Sequence, residues 1–310
     1  MNMPEYWGYN LNDRITVKLR NQSLETLTDI NVELLNSNDE AIWISKTDNS
    51  GRAELFPNLS KNNETALPDL KIRINGTLFT DILSNSQGIN HLTLDLSQGN
   101  SKKCDIAFVV DATGSMGDEL EYLKVELIDV IGRVKTANPD ASINLGAVYY
   151  RDTEDEFVTR VSDFSPDISN TINFIRNQSA NGGGDFPEAV HTALDKAISN
   201  LQWSSQATAR IIFLVLDAPP HYEPQIVAEI HSLIAEAASK GIKVIPVTAS
   251  GIDKKTEFLM RYMAIATNGT YVFITNDSGI GGEHLEATVG EYEVELLNDL
   301  IESLINKYLE

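Results

Sequence analysis

Asp111-Ala-Thr113-Gly114-Ser115 sets one carboxylate and two hydroxyls within five residues, around a glycine that lets the backbone bend sharply. A hard divalent cation takes such oxygens in near-octahedral array and draws the rest of its shell from water and other loops. Two further stretches carry carboxylates able to complete that shell: Asn181-Gly-Gly-Gly-Asp185-Phe-Pro-Glu188 and Asp217-Ala-Pro-Pro-His221. Asp111, Thr113, Ser115, Asp185 and Asp217 are therefore the candidate metal residues. Gly114, Arg151, Asp152, Glu188 and His221 are the candidates for supporting those residues or touching a bound partner.

These loops need elements that bring them to one place. From Cys104 onward, near-continuous apolar runs alternate with longer stretches of helical period: Ile106 to Val110, Ile143 to Val148, Ile211 to Leu216, Val244 to Val247 and Tyr271 to Ile274. That order predicts an α/β unit with a mostly parallel, Rossmann-like open sheet of six strands flanked by helices. In such sheets ligands gather beyond the carboxyl ends of the strands. Asp111 follows the first run directly and Asp217 follows the third. The segment from Glu156 to Val161 comes too soon after the second run for a crossover helix, so it predicts an antiparallel edge strand. Leu120, Leu123, Leu127 and Ile131 line one face of the first helix, and Val294, Leu297, Ile301, Leu304 and Tyr308 one face of the last.

The first hundred residues have a different period. Ile15 to Leu19, Ile30 to Leu35, Ala41 to Ser45, Arg52 to Phe56, Leu70 to Ile74 and His91 to Leu96 alternate apolar and polar residues between Asn, Asp, Ser and Gly turns, which predicts a small antiparallel β-sandwich. The expected division is 1–99 for the sandwich and 103–310 for the α/β unit.

The Asp-x-Thr-x-Ser loop, the middle glycine loop and the late strand-end Asp resemble, in order and placement, the von Willebrand factor A family with its metal-ion-dependent adhesion site. The resemblance spans roughly residues 103–310. It implies that Asp111, Thr113 and Ser115 fill the first motif and Asp217 the last, around Mg²⁺, with Ca²⁺ or Mn²⁺ as alternatives, completed by a side chain of a protein partner. It also implies a cell-adhesion type of role without catalysis. Asp185 stands where the family more often has Thr. If Asp111, Asp185 and Asp217 are all ionised beside one divalent cation, the site sums to a formal −1 and attracts a partner carboxylate only weakly. The stretches Asp29 to Leu35 and Thr47 to Leu55 resemble carboxypeptidase-regulatory-like sandwich modules. Some related modules form Lys–Asn isopeptide bonds; Lys18 with a late Asn such as Asn90 is a pair of that kind here, without an assignable catalytic carboxylate beside it.

Each loop also has a plainer reading. Ser115 could cap a helix starting near Gly117, and Asp185 one starting at Pro187. The three together, in order and each after the right element, favour the cation. The enzyme alternative is a hydrolase with Ser115 as nucleophile, Asp217, and His221 or His284, since strand, Gly114-Ser115-Met-Gly117 and helix approach a nucleophile elbow. Thr113 replaces that elbow's first glycine, and a hydrolase has no use for Asp111.

Composition narrows the classes further. The chain carries 24 Lys and Arg against 45 Asp and Glu, a net charge of −21. Residues 1–100 hold 8 basic and 13 acidic side chains, and residues 101–310 hold 16 and 32, so the α/β unit is the more acidic. With no basic stripe, nucleic acid is not the expected partner. One cysteine, Cys104, excludes an internal disulfide and a multi-cysteine zinc site. No run approaches a membrane span, and Met1 to Asn10 lack a basic, then apolar leader. The compartment is left unknown by these features: cytoplasmic by default, extracytoplasmic if the chain is a processed or trimmed segment.

Overall fold

The α/β unit grows from its central strand, where every side chain after Lys103 is buried. The computed structural model describes residues 3–59, 69–97, 99, 102–249, 252–274 and 296–310. A short helix α1 (Met3–Trp7) precedes the strands β1 (Ile15–Asn21), β2 (Asn31–Leu35), β3 (Ala41–Lys46), β4 (Arg52–Leu55), β5 (Lys71–Ile74), β6 (Thr77–Phe79) and β7 (Asn90–Leu94). They form two sheets, ordered β4-β1-β7 and β3-β2-β5-β6. All pairs are antiparallel except β1 with β7, which run parallel, a departure from the purely antiparallel sandwich expected from alternation. Alternation reports which face is dry and carries no information on strand direction. Asn90 brackets that parallel edge: its amide donates to the carbonyls of Thr16 (3.0 Å) and Leu83 (2.9 Å), so its side chain is engaged there and not with Lys18.

The second part follows as β8 (Lys103–Asp111), α2 (Gly117–Ala137), β9 (Ser142–Tyr150), β10 (Thr159–Ser165), α3 (Ile168–Arg176), α4 (Val190–Asp195) with a π-helical turn after it, β11 (Ala209–Leu216), α5 (Pro224–Lys240), β12 (Ile242–Thr248), α6 (Lys254–Ala266), β13 (Val272–Phe273) and α7 (Leu297–Leu309). Among the described residues the sheet has six strands, ordered β10-β9-β8-β11-β12-β13, parallel except for β10. The edge strand thus has the expected direction, but it begins at Thr159. Residues 156–158 belong instead to the turn, where the Arg151 guanidinium lies 4.4 Å from the Phe157 ring centroid and Arg151 N–H donates to the Val158 carbonyl.

Helices α2, α3 and α7 cover one face of the sheet and α4, α5 and α6 the other. Leu120, Leu123, Leu127 and Ile131 of α2, and Leu297, Ile301, Leu304 and Tyr308 of α7, are buried, as their spacing requires; Val294 lies outside the described residues. On either side of the expected boundary between 1–99 and 103–310, apolar side chains run together into one core cluster on the α5 face. Tyr9 stacks on Tyr262 at 3.5 Å, and the Trp7 indole donates to the Lys255 carbonyl at 2.8 Å. Gly241 ends α5 at φ +69° and lets Lys46 of β3 approach so closely that a Cβ there would lie 2.9 Å from the Lys46 Cβ. Asp29 accepts from both halves, from Lys46 at 2.9 Å and from Arg210 at 2.7 and 3.0 Å. Among the described residues no helix is long and apolar enough to cross a membrane.

Candidate functional site

Backbone hydrogen bonds fasten the loops at the carboxyl ends of β8, β9 and β11 to one another. Ala112 N–H donates to the Tyr150 carbonyl, Gly114 N–H to Gly182 and Asn181 N–H to Ala112. Glu188 N–H donates to Pro219 at 2.9 Å, and Glu188 forms a parallel bridge with Pro220. Two side chains complete the fastening. Arg151, 2% exposed, donates to the carbonyls of Ala112 (3.1 Å) and Ser179 (2.9 Å). Asp152 pairs with His221 at 2.6 Å and so ties the end of β9 to the loop after β11.

Asp111 is fully buried, and its Oδ1 accepts from Thr113 N–H (2.9 Å) and Thr113 Oγ1 (2.7 Å). Ser115 is exposed, with Oγ 3.5 Å from Thr113 Oγ1. Neither capping role is taken. Ser115 lies inside a 3-10 turn, Gly114–Met116, and the first turn of α2 has no side-chain cap. α4 begins at Val190, also without one, so Asp185 does not cap it.

Three carboxylate oxygens at this place are buried and have no hydrogen-bond partner among the described residues: Asp111 Oδ2, Asp217 Oδ1 and Glu188 Oε2. Leaving such groups unsatisfied is costly, and clusters of them in native proteins have an explanation in a bound ion, a proton or a catalytic role. Burial first, then the charges of Asp217 and Asp155, pushes the Asp111 carboxyl up to about 7 against the hydrogen bonds from Thr113. Burial, with the charges of Asp111, Asp152, Asp155 and Asp217, pushes Glu188 up to about 9. Asp217 is raised by burial, offset in part by the Ser115 hydroxyl. The Tyr150 phenol, buried among Asp111, Asp217 and Glu188, is raised well above its ordinary range by burial and by those charges.

A pH dependence follows. Unfolded carboxyls release their protons near pH 4, whereas folded Asp111 holds its proton to about 7 and Glu188 to about 9. Across that window the folded chain binds more protons than the unfolded one, so their contribution to stability falls as pH rises. His191 and His231, lowered by burial, contribute in the opposite direction, but only below about 6.5. The melting temperature of the native chain in chelator should therefore fall from pH 7 to pH 9, and less so in Glu188→Gln; equal slopes in the two would contradict the assignment.

The structure brings Asp111, Thr113, Ser115 and Asp217 together, with Gly114, Arg151, Asp152 and His221 around them, and leaves Asp185 exposed on the glycine loop. Glu188, three residues later, turns inward and is 3% exposed. Asp155 also joins, from the acidic turn Asp152 to Glu156: Gly183 N–H donates to its carboxylate, and a side chain at Gly182 (φ +79°) would collide with it. Asp155 belongs to the acidic stretch Asp152 to Glu156, which a second strand parallel to the first brings near the site, whereas Tyr150 carries no signal beyond its position at the end of β9. For the hydrolase reading, His221 is bonded to Asp152 and His284 lies outside the described residues. Among the described residues no three His, Cys, Asp or Glu side chains form a metal-holding group.

A model of the von Willebrand factor A domain matches residues 105–284. A protein of Acanthamoeba polyphaga mimivirus named as an ariadne-like RING finger protein, R811, is 36% identical over 124 residues, covering 40% of this chain and 12% of that protein. The alpha-protein kinase vwkA of Dictyostelium discoideum is 33% identical over 124 residues, covering 39% of this chain and 19% of the kinase. The chain thus spans less than a fifth of the length of either relative. Among solved structures, BatB from Bacteroides thetaiotaomicron is 15% identical with a TM-score of 0.44, covering 66% of this chain and 98% of its own. An aerotolerance-related membrane protein from Bacteroides fragilis is 12% identical with a TM-score of 0.42 over the same shares.

Proposed function

Because this chain belongs to the von Willebrand factor A domain family, we propose that it is a non-enzymatic protein-binding module that meets its partner at a divalent cation, Mg²⁺ first among the choices. A protein-interaction role follows at a general level from the family; the cation is the finer step. The observation that carries it is the set of buried, unpartnered oxygens of Asp111 and Asp217, beside the hydroxyls of Thr113 and Ser115 at the ends of β8 and β11. These are hard oxygens of the kind Mg²⁺ prefers, and the two carboxylates would neutralise its charge. When bound, the ion supplies a positive centre with a coordination position left for an oxygen from outside. Thr113 holds Asp111 in register through its two hydrogen bonds, while Arg151 and the Asp152–His221 pair keep the three loops at a fixed spacing.

Calorimetric titration of the full chain with Mg²⁺, Mn²⁺ and Ca²⁺ tests this reading. Saturable binding of at least one is the expected result, and silence with all three would overturn it. Labelling of Ser115 by a fluorophosphonate would favour the hydrolase instead.

A further inference from the structure

Basic side chains gather at one place in this acidic chain, by the amino end of β11 and opposite the loops that hold Asp111 and Asp217. Lys46 ends β3, Arg210 lies at the start of β11 and Lys240 in the last turn of α5, and all three line one cavity of about 360 Å³. Among the described residues no Asp or Glu lines it. Asp29 pairs with both Lys46 (2.9 Å) and Arg210 (2.7 and 3.0 Å), and Glu236 with Lys240 (2.7 Å), so three cations share two carboxylates and keep a formal +1. The chain as a whole carries −21. Their placement is built in. A Cβ on Gly241 would stand 2.9 Å from Lys46 Cβ and 3.4 Å from Arg210 Nη1, so glycine there is what lets the two cations come together. Arg210 is fixed by its Nε–H to the Ser204 carbonyl (2.9 Å), and Lys240 by its ammonium to the Ile198 carbonyl (2.7 Å). Lys240 also offsets the negative end of α5. Asn31 and Ser205 add an exposed amide and an exposed hydroxyl, and half-buried Trp203, its indole N–H tied to the Ala197 carbonyl, supplies an apolar wall.

We propose that this cavity binds a phosphomonoester, its dianion among Lys46, Arg210 and Lys240 and its organic group against Trp203. Ammonium and guanidinium groups give phosphate oxygens strong, charge-assisted hydrogen bonds, and a dianion gains more from a positive site than a carboxylate does. Lys46 has donors to give, since an ammonium carries three N–H groups and one of them goes to Asp29. The volume is in the range of small-molecule sites and exceeds what bare phosphate fills, so the phosphate brings a substituent with it. Both a free small ester and the phosphorylated side chain of a protein segment present this chemistry. The site shares no residue with the strand-end loops and does not depend on the cation.

The test is titration of the full chain with phenyl phosphate, in chelator so that no divalent ion can bridge the anion to Asp111 and Asp217, followed by the indole N–H NMR signals of Trp7, Trp43 and Trp203. The expected result is a saturable shift of the Trp203 signal at millimolar ester, with the other two unmoved. Lys46→Gln and Lys240→Gln, each shown by melting to be folded, should weaken binding by at least about fivefold, while Lys135→Gln, exposed on α2, leaves it unchanged. A phosphoserine peptide that binds more tightly than phenyl phosphate would assign the site to a partner segment; one that binds no more tightly would assign it to a free ester. A Trp203 signal that stays still in the native chain would overturn the proposal. So would native affinity in both lysine variants, or an equal shift with phenol, which has the ring without the phosphate.

Discussion

Asp111→Asn should lose divalent-cation binding and gain stability at the same time. The amide keeps the oxygen that accepts from Thr113 N–H and Thr113 Oγ1, so the loop retains its geometry. What it loses is a negative charge that burial disfavours, to the point that the carboxyl holds its proton up to about 7. At pH 8 in chelator the native chain bears the cost of that ionised group and the variant does not, a difference on the order of 2–4 kcal/mol. The urea midpoint of Asp111→Asn should therefore rise in chelator, while its calorimetric Mg²⁺ signal weakens by at least about a hundredfold, because an amide cannot balance the ion's charge. A structural carboxylate would move stability downward with no effect on cations, and a variant that binds Mg²⁺ as the native chain does would remove Asp111 from the site. A cluster of acids that destabilises the free fold is one that a cation can stabilise by binding.

The second large effect lies on the other side of the molecule. Asp29→Ala should cost roughly 3–5 kcal/mol, read as a shift of the urea midpoint, because it strands the Arg210 guanidinium, which is 4% exposed on its side chain and pairs with Asp29 through both oxygens. Lys46, which shares Asp29 Oδ1, loses its partner as well. Asp29 sits at φ +62°, where alanine is strained and asparagine is tolerated, so Asp29→Asn separates the charge effect from the turn. The apolar core runs from the sandwich into the α5 face of the sheet, so the loss should appear as one cooperative transition at lower urea. Two well-separated transitions in the native chain, with only one moved by the substitution, would show that the halves unfold independently.

How the loops meet was legible to different degrees. Strand runs and helical faces depend on local periodicity, and the buried residues of β8, β11, α2 and α7 follow it closely. The start of β10 depends on a side-chain contact within the turn, Arg151 with Phe157, and the parallel pairing of β1 with β7 on a contact between distant segments, Asn90 with Thr16. The missed strand β6 is three residues long and half of a tight hairpin with β5, too short for alternation to register.

The same division holds at the site. Sequence alone determined that Asp111, Thr113, Ser115 and Asp217 would meet: each directly follows or opens a regular element, and parallel sheets place the ends of neighbouring strands together whatever their loops do. Tertiary structure alone decided which acid of Asn181 to Glu188 faces inward. In a loop of three consecutive glycines the dihedrals are set by what the chain docks against, here Asp155 on one side and Pro219 on the other, and that docking turns Glu188 toward Thr113 and leaves Asp185 in water.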